Sequence, residues 1–153
     1  MTVSTENTLQ SDEIRLITYG SDEYAAELQL RDRVLRKPLG MSLFDEDLAR
    51  DKADIHIAAF YDNVLVGCLL LLPVAGNALK MRQVAVDEAF RSKGLGSRLV
   101  NFAEEYAQEH GYKKIELNAR EIAIAFYQRH NYIVTGEQFF EVGIPHRKML
   151  KVF

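Results

Sequence analysis

The chain has 153 residues, 48% of them hydrophobic and 27% charged, enough to bury a core without disulfide or metal staples. Nineteen Lys and Arg stand against 22 Asp and Glu, a net charge of −3, so no basic field exists to hold a nucleic acid. A single cysteine, Cys68, excludes a disulfide framework and a Cys-rich zinc site, and the histidines show no HExxH or paired metal spacing, so no metal is expected.

Residues 1–11 are polar and lack the apolar stretch of a secretory signal; they are expected to form a flexible tail ahead of one domain over residues 12–153. The longest apolar run, residues 64–75, contains Pro73 and is too short to cross a bilayer, which points to a cytoplasmic chain. Residues 14–19 read as a strand that Gly20 ends. Ser21 or Asp22 can cap a helix reaching about residue 37, where Pro38 stops it. Residues 39–43 follow as a loop and 44–52 as a short helix. Strands at 54–61, 64–74 and 78–87 then form a meander, with turns at Asp62-Asn63 and Gly76-Asn77. Residues 94–111 carry a helical apolar stripe at Leu95, Leu99, Phe102, Ala103 and Tyr106, and Gly111 closes it. A strand at 113–119, a helix at 121–130 and strands at 132–135 and 147–152 complete the chain. This order predicts an α/β (α+β) domain with a mixed, mostly antiparallel sheet of six to seven strands and about four helices. A Rossmann fold, with strands and helices alternating throughout, does not fit.

The most informative stretch is 84–99, VAVDEAFRSKGLGSRL, where a strand passes through a glycine turn straight into an amphipathic helix. Gly94 and Gly96 permit backbone conformations closed to other residues and let a ligand approach the main chain. The first amides of such a helix lack intrahelical partners and sit at the positive end of its dipole, which suits a pyrophosphate. Arg91 and Lys93 add positive charge at its mouth. A dinucleotide fingerprint fails because Leu99 stands where a third glycine belongs, and a Walker loop fails because Lys93 precedes Gly94. The plain alternative is that both glycines only shape the turn.

Taken together, Arg91-Ser92-Lys93-Gly94-Leu95-Gly96 after Val84-Ala85-Val86 resembles the signature of the GNAT superfamily of N-acetyltransferases, Gln/Arg-x-x-Gly-x-Gly/Ala. The resemblance continues through Leu117-Asn118-Ala119-Arg120, Ala125-Phe126-Tyr127 and His130-Asn131-Tyr132, with Asn131 where the family has glycine, and covers nearly the whole chain. Residues 136–149 resemble a bacterial branch of small GNAT enzymes without assigned substrates.

The resemblance implies a GNAT-like sheet whose central strands splay apart to admit acetyl-CoA as co-substrate. It implies that the backbone of Val84, Ala85 and Val86 pairs with the pantetheine arm. The turn Arg91, Ser92, Lys93, Gly94, Leu95, Gly96, Ser97 would hold the pyrophosphate. Asn118 would bond the pantetheine, while Phe126 and Tyr127 would line the thioester end. The implied reaction transfers an acetyl group to a primary amine of a small molecule or protein by direct attack in a ternary complex, with Tyr127 as proton donor to the departing thiolate. Some histone-type relatives carry a glutamate base where this chain has Lys80, so Glu141 and His146, flanking a turn with Gly143 and Pro145, become the candidate base residues, beside a water chain. A non-catalytic CoA-binding regulatory domain is the rival reading. The cluster Arg31, Arg33, Arg36 and Lys37 reads as a solvated helix face; the alternative has it cover the acceptor pocket and favour an acidic or polar acceptor. Strand edges near the C terminus leave a homodimer open. Cys68 reads as an inert buried thiol and His56 as a hydrogen-bonded sheet histidine.

Overall fold

The structure, a computed structural model, describes residues 13–153. The expected tail at 1–11 lies outside the described residues. The strands are β1 (Glu13–Ile17), β2 (Ile55–Tyr61), β3 (Val64–Val74), β4 (Ala78–Val86), β5 (Lys114–Arg120), β6 (Ile133–Val134), β7 (Phe139–Glu141) and β8 (Ile144–Val152). The helices are α1 (Asp22–Arg31), α2 (Leu95–Glu109) and α3 (Ile124–Arg129). One sheet runs β1-β2-β3-β4-β5-β8-β6, with β7 on β8. Among the described residues only β4 and β5 pair in parallel, through the crossover made by α2. The eighth strand arises because the segment after residue 136 folds as a β7–β8 hairpin, with Val142 and Gly143 at positive φ in its turn.

Alternation along the strands sends side chains to two layers. Leu69, Leu71, Met81, Leu117 and Ala119 pack under Leu95, Leu99, Ala103 and Tyr127 of α2 and α3. Cys68, Ala58 and Ala85 face the other way, toward Leu30 of α1. Gly67 lies directly under α2: a Cβ there would come within 3.0 Å of Leu99 Cδ1.

The expected long first helix is instead three pieces. α1 ends at Arg31, a π turn covers Asp32–Arg36, and a 3-10 turn covers Lys37–Leu39. The cause is local: Pro38 has no N–H to continue the helical ladder and its ring crowds the carbonyl four residues back, and the Asp32 carboxylate accepts from Leu43 N (2.8 Å). Residues 44–52, expected as a helix, form two 3-10 turns at Leu43–Asp45 and Leu48–Ala53. There the Ser42 and Asp47 side chains each accept from an amide two residues on.

The arginine cluster is not a solvated face. Arg31 and Arg36 are buried, whereas Arg33 and Lys37 are exposed. Arg31 Nη1 donates to Glu27 Oε2 (2.9 Å) and Asp51 Oδ2 (2.8 Å), and its Nε to Gln83 Oε1 (3.0 Å). Asp51 also accepts from Tyr24 (2.8 Å) and Arg82 (2.9 Å), and Arg82 reaches Asp54. His56 lies buried as expected, between the Glu27 carboxylate and the Asp51 carbonyl, both at 2.8 Å. Both of its ring nitrogens face acceptors, so it sits as an imidazolium. Burial alone would lower His56, but the Glu27 carboxylate overcomes it and the group is raised.

This network holds an irregular stretch of β4. Cys68 pairs with Ala85 and Leu70 with Arg82, so Leu69 faces both Gln83 and Val84. Gln83 is the extra residue, with φ 56°, its carbonyl accepting from the Cys68 thiol (3.6 Å) and its side chain held by Arg31.

Candidate active site

β4 and β5 pair only from Ala78–Lys114 to Met81–Leu117. Beyond that point β4 follows its bulge and stays on β3, while β5 stays on β8 as far as Arg120–His146. The strands therefore part, and among the described residues the cleft edge of β4 at residues 82–86 has no strand to pair with. A cavity of about 1060 Å³ fills the gap. Its walls come from both faces of the sheet: Gly96, Phe126 and Tyr127 on the side of α2 and α3, Arg36, Glu46 and Arg50 on the side of α1.

The turn into α2 closes one end of the cleft. The Asp87 carboxylate accepts from Ala89 N (2.9 Å) and starts a 3-10 turn over Glu88–Phe90. Ser92 (φ 65°) and Gly94 (φ 80°) then reverse the chain through left-handed geometry. Arg98 N donates to Gly94 O (3.1 Å) as the first helical bond, which leaves the amides of Leu95, Gly96 and Ser97 ahead of it. No acidic residue occupies the first turn. Ser97 Oγ lies 2.9 Å from His130 Nε2, and the Phe126 ring packs on Gly96 and His130. Burial lowers His130, disfavouring its charged form beside the hydroxyl. Asn131 adopts φ 71°, the left-handed geometry of the glycine it replaces.

Tyr127 is buried, edge-on to both Phe126 and Tyr132, and lines the cleft from α3. Burial raises its phenol above the ordinary value. Across the cleft, strand alternation places Asn118 and Arg120 on the α1 side, opposite Lys148 and His146. Asn118 Nδ2 donates to Glu141 Oε1 (3.3 Å), and His146 Nε2 lies 3.9 Å from Glu141 Oε2. His146 is 3% exposed, and its Nδ1 lies 2.9 Å from the Ile144 carbonyl. That oxygen can only accept, so Nδ1 carries a hydrogen and Nε2 is the ring nitrogen turned toward Glu141.

The expected site residues thus divide. Val84, Ala85, Val86, Arg91, Gly96, Asn118, Phe126, Tyr127, Glu141 and His146 all line one cavity. Ser92, Lys93 and Gly94 are exposed at its mouth, and the Leu95 side chain is buried in the core, so only its amide faces outward. Sequence reasoning missed Gln83, whose strain at positive φ has no local signature. It also missed Arg120, although Asn118 on a strand should have flagged the residue two further on. Among the described residues no helix is long and apolar enough to cross a membrane, and no group of three or more His, Cys, Asp or Glu is placed to hold a metal ion.

Residues 21–132 match the model of the Acetyltransferase (GNAT) family. The uncharacterized protein YyaT of Bacillus subtilis (strain 168) is 30% identical over 142 residues, covering 90% of this chain and 94% of the relative. A crystal structure from Lactobacillus plantarum, described as a candidate N-acetyltransferase, superposes with a TM-score of 0.83 at 25% identity, over 93% of this chain and 98% of that one. A GNAT family acetyltransferase from Elizabethkingia anophelis, solved with acetyl-CoA bound, shares the fold with a TM-score of 0.66 at 23% identity, over 92% and 95% of the two chains.

Proposed function

This chain belongs to the acetyltransferase (GNAT) family, and from that premise we propose that it acetylates a primary amine by direct attack within a ternary complex. Its general activity is that of an acyltransferase using acetyl-CoA. The observation that carries the finer reading is the parting of β4 and β5 with a helix N-terminus at one end and a histidine–glutamate pair at the other. The residues present fit acetyl-CoA. The free edge of β4 at 82–86 offers main-chain donors and acceptors to an amide-bearing arm. The uncapped first turn of α2, with Arg91 and Lys93, suits its phosphates, and Gly96 keeps the approach open.

When bound, acetyl-CoA supplies an activated carbonyl and a thiolate leaving group. The chain's own groups supply the rest. A main-chain amide at 84–86 orients and polarises the carbonyl oxygen. His146 takes the amine proton at Nε2, and the Glu141 carboxylate stabilises the imidazolium that results. Lys80 has no such capacity while charged. Tyr127 presents its hydroxyl from the opposite wall. Because a phenol is a weaker acid than a thiol and burial weakens it further, Tyr127 acts chiefly as a hydrogen-bond donor to the developing thiolate. The two reactants therefore enter from opposite faces of the sheet.

Release of free thiol from acetyl-CoA across an amine panel tests this reading against a CoA-binding regulatory domain, which would bind and release none. Two variants separate the roles. Tyr127→Phe is expected to lower kcat about tenfold to a hundredfold, while His146→Gln lowers it about a hundredfold. Acetyl-CoA affinity, by calorimetry, stays within about threefold in both. Unchanged turnover in either variant rejects that residue's role.

A further inference from the structure

The acceptor-side wall of the cleft carries a charge imbalance that acetyl transfer itself does not require. Arg36 Nη1 and Arg120 Nη2 both donate to one oxygen, the Leu35 carbonyl, each at 3.2 Å. Two guanidinium groups thus converge on a single point. Arg36 is 6% exposed and its charge is met by Glu46, at 2.6 Å from Nε and 3.3 Å from Nη2. Arg120 is half-buried at the end of β5, and among the described residues no carboxylate lies within ion-pair distance of it. Burial and the neighbouring Arg36 charge both lower it, with Glu141 opposing from farther away. Lys80 and exposed Arg50 line the same wall. Arg82 and Arg33, by contrast, are spent on Asp51, Asp54 and Asp87. The wall therefore holds Arg36, Arg50, Lys80 and Arg120 against Glu46 and Glu141 alone.

A guanidinium taken partly out of water beside a second one is costly unless an anion meets it, and nothing among the described residues does so for Arg120. Its unused donors form a fork suited to two oxygens of one group. Arg120, at the end of β5, is the register partner of His146 on β8, on the face from which the amine arrives. We propose that Arg120, seconded by Arg36, binds an anionic oxygen group of the acceptor, so that the preferred substrate is a primary amine bearing a carboxylate or phosphate a few bonds from its nitrogen. This rests on the acetyl-transfer reading above and narrows it.

Matched amines decide the matter: β-alanine against propylamine, phenylalanine against phenethylamine, and O-phosphoethanolamine against ethanolamine, each followed by thiol release. The anionic member of at least one pair is expected to have a kcat/KM about tenfold to a hundredfold higher. The first two pairs report a carboxylate and the third a phosphate. Arg120→Gln should bring that ratio close to one with acetyl-CoA affinity kept, and Arg120→Lys should retain part of it. Neutral amines that match or exceed their anionic partners in every pair, or a ratio unmoved in Arg120→Gln, overturn the proposal. Failure of the acetyl-transfer reading looks different: no uptake of acetyl-CoA, or no thiol from any amine. The question then passes to binding, with N-acetyl-β-alanine and N-propylacetamide titrated against the CoA-saturated or free protein by NMR chemical shift. Binding of the anionic compound about tenfold tighter supports the site, and equal affinity or no binding overturns it.

Discussion

Ser97→Asp is expected to weaken acetyl-CoA binding about a hundredfold while leaving the thermal midpoint unchanged or higher. Acidic side chains in a first helical turn stabilise a helix by about 0.3–1 kcal/mol, because they meet its unpaired amides and the positive end of its dipole. α1 uses this device, with Asp22 and Glu23 in its first turn. α2 forgoes it, opening on Leu95, Gly96 and Ser97 after a left-handed Gly94. A helix that leaves its own N-terminus without a counter-charge is free to offer it to a ligand's. An aspartate at 97 would fill that role from within the chain and would also repel the incoming diphosphate. Two like charges a few ångströms apart at a partly wetted surface cost roughly 2–4 kcal/mol. The carboxylate can still accept from His130, so the contact now made by Ser97 Oγ at 2.9 Å survives in kind. Ser97→Ala removes the hydroxyl alone and should change affinity only a few-fold. Calorimetry with acetyl-CoA and a thermal melt on both variants check the pair of expectations. Undiminished affinity in Ser97→Asp would mean that the diphosphate does not rest on this turn.

The sequence was most legible where chemistry and geometry are both local. The strand-turn-helix at 84–99 showed itself because glycine, a strand-end triplet and an apolar stripe fall within one short window. The Asp62-Asn63 hairpin was readable for the same reason: both residues tolerate the positive φ they adopt. The residues that set the cleft open were hidden because their partners are distant. Gln83 is an ordinary strand residue by composition, and its positive φ is enforced by Arg31, 52 residues earlier. Arg120 became visible only once Leu35, 85 residues away, supplied the carbonyl it shares with Arg36. Charge likewise misled at residues 31–37. Four cations at near-helical spacing look like a solvated stripe, yet the π turn at Asp32–Arg36 and carboxylates from Glu27, Asp51 and Glu46 take two of them inside.

That buried network carries the second large effect. Arg31→Met should destabilise the fold by about 3–5 kcal/mol, because it takes a charged partner from two carboxylates in the interior. Glu27 is 0% exposed and Asp51 2%, and each loses its bond to the same Nη1. Methionine roughly fills the volume, so the loss is electrostatic rather than a cavity. Accordingly Glu27→Gln in the same chain should restore more than half of it, while Asp51 keeps Arg82 and Tyr24. The network also imposes a pH dependence whose sign follows from its members. His56 is raised in the folded chain, so its contribution is full below about pH 6.5, the value of a free imidazole, and is lost as pH rises through the higher folded value. Asp51 is lowered: burial opposes, but Arg31 wins. Its contribution is full above about pH 3.9 and is lost as pH falls through the lower folded value. Stability from these two groups therefore peaks between those limits. Denaturant melts from pH 6 to pH 9 should show wild type losing stability while His56→Gln, weaker at pH 6, stays flat over the same interval. Parallel slopes in the two proteins would mean that His56 is neutral against Glu27. A second consequence reaches the cleft. Arg31 Nε holds the Gln83 side chain, so Arg31→Met also frees the bulge that parts β4 from β5. Acetyl-CoA affinity should then fall in Arg31→Met and stay low in the Glu27→Gln double variant, which regains more than half of the lost stability.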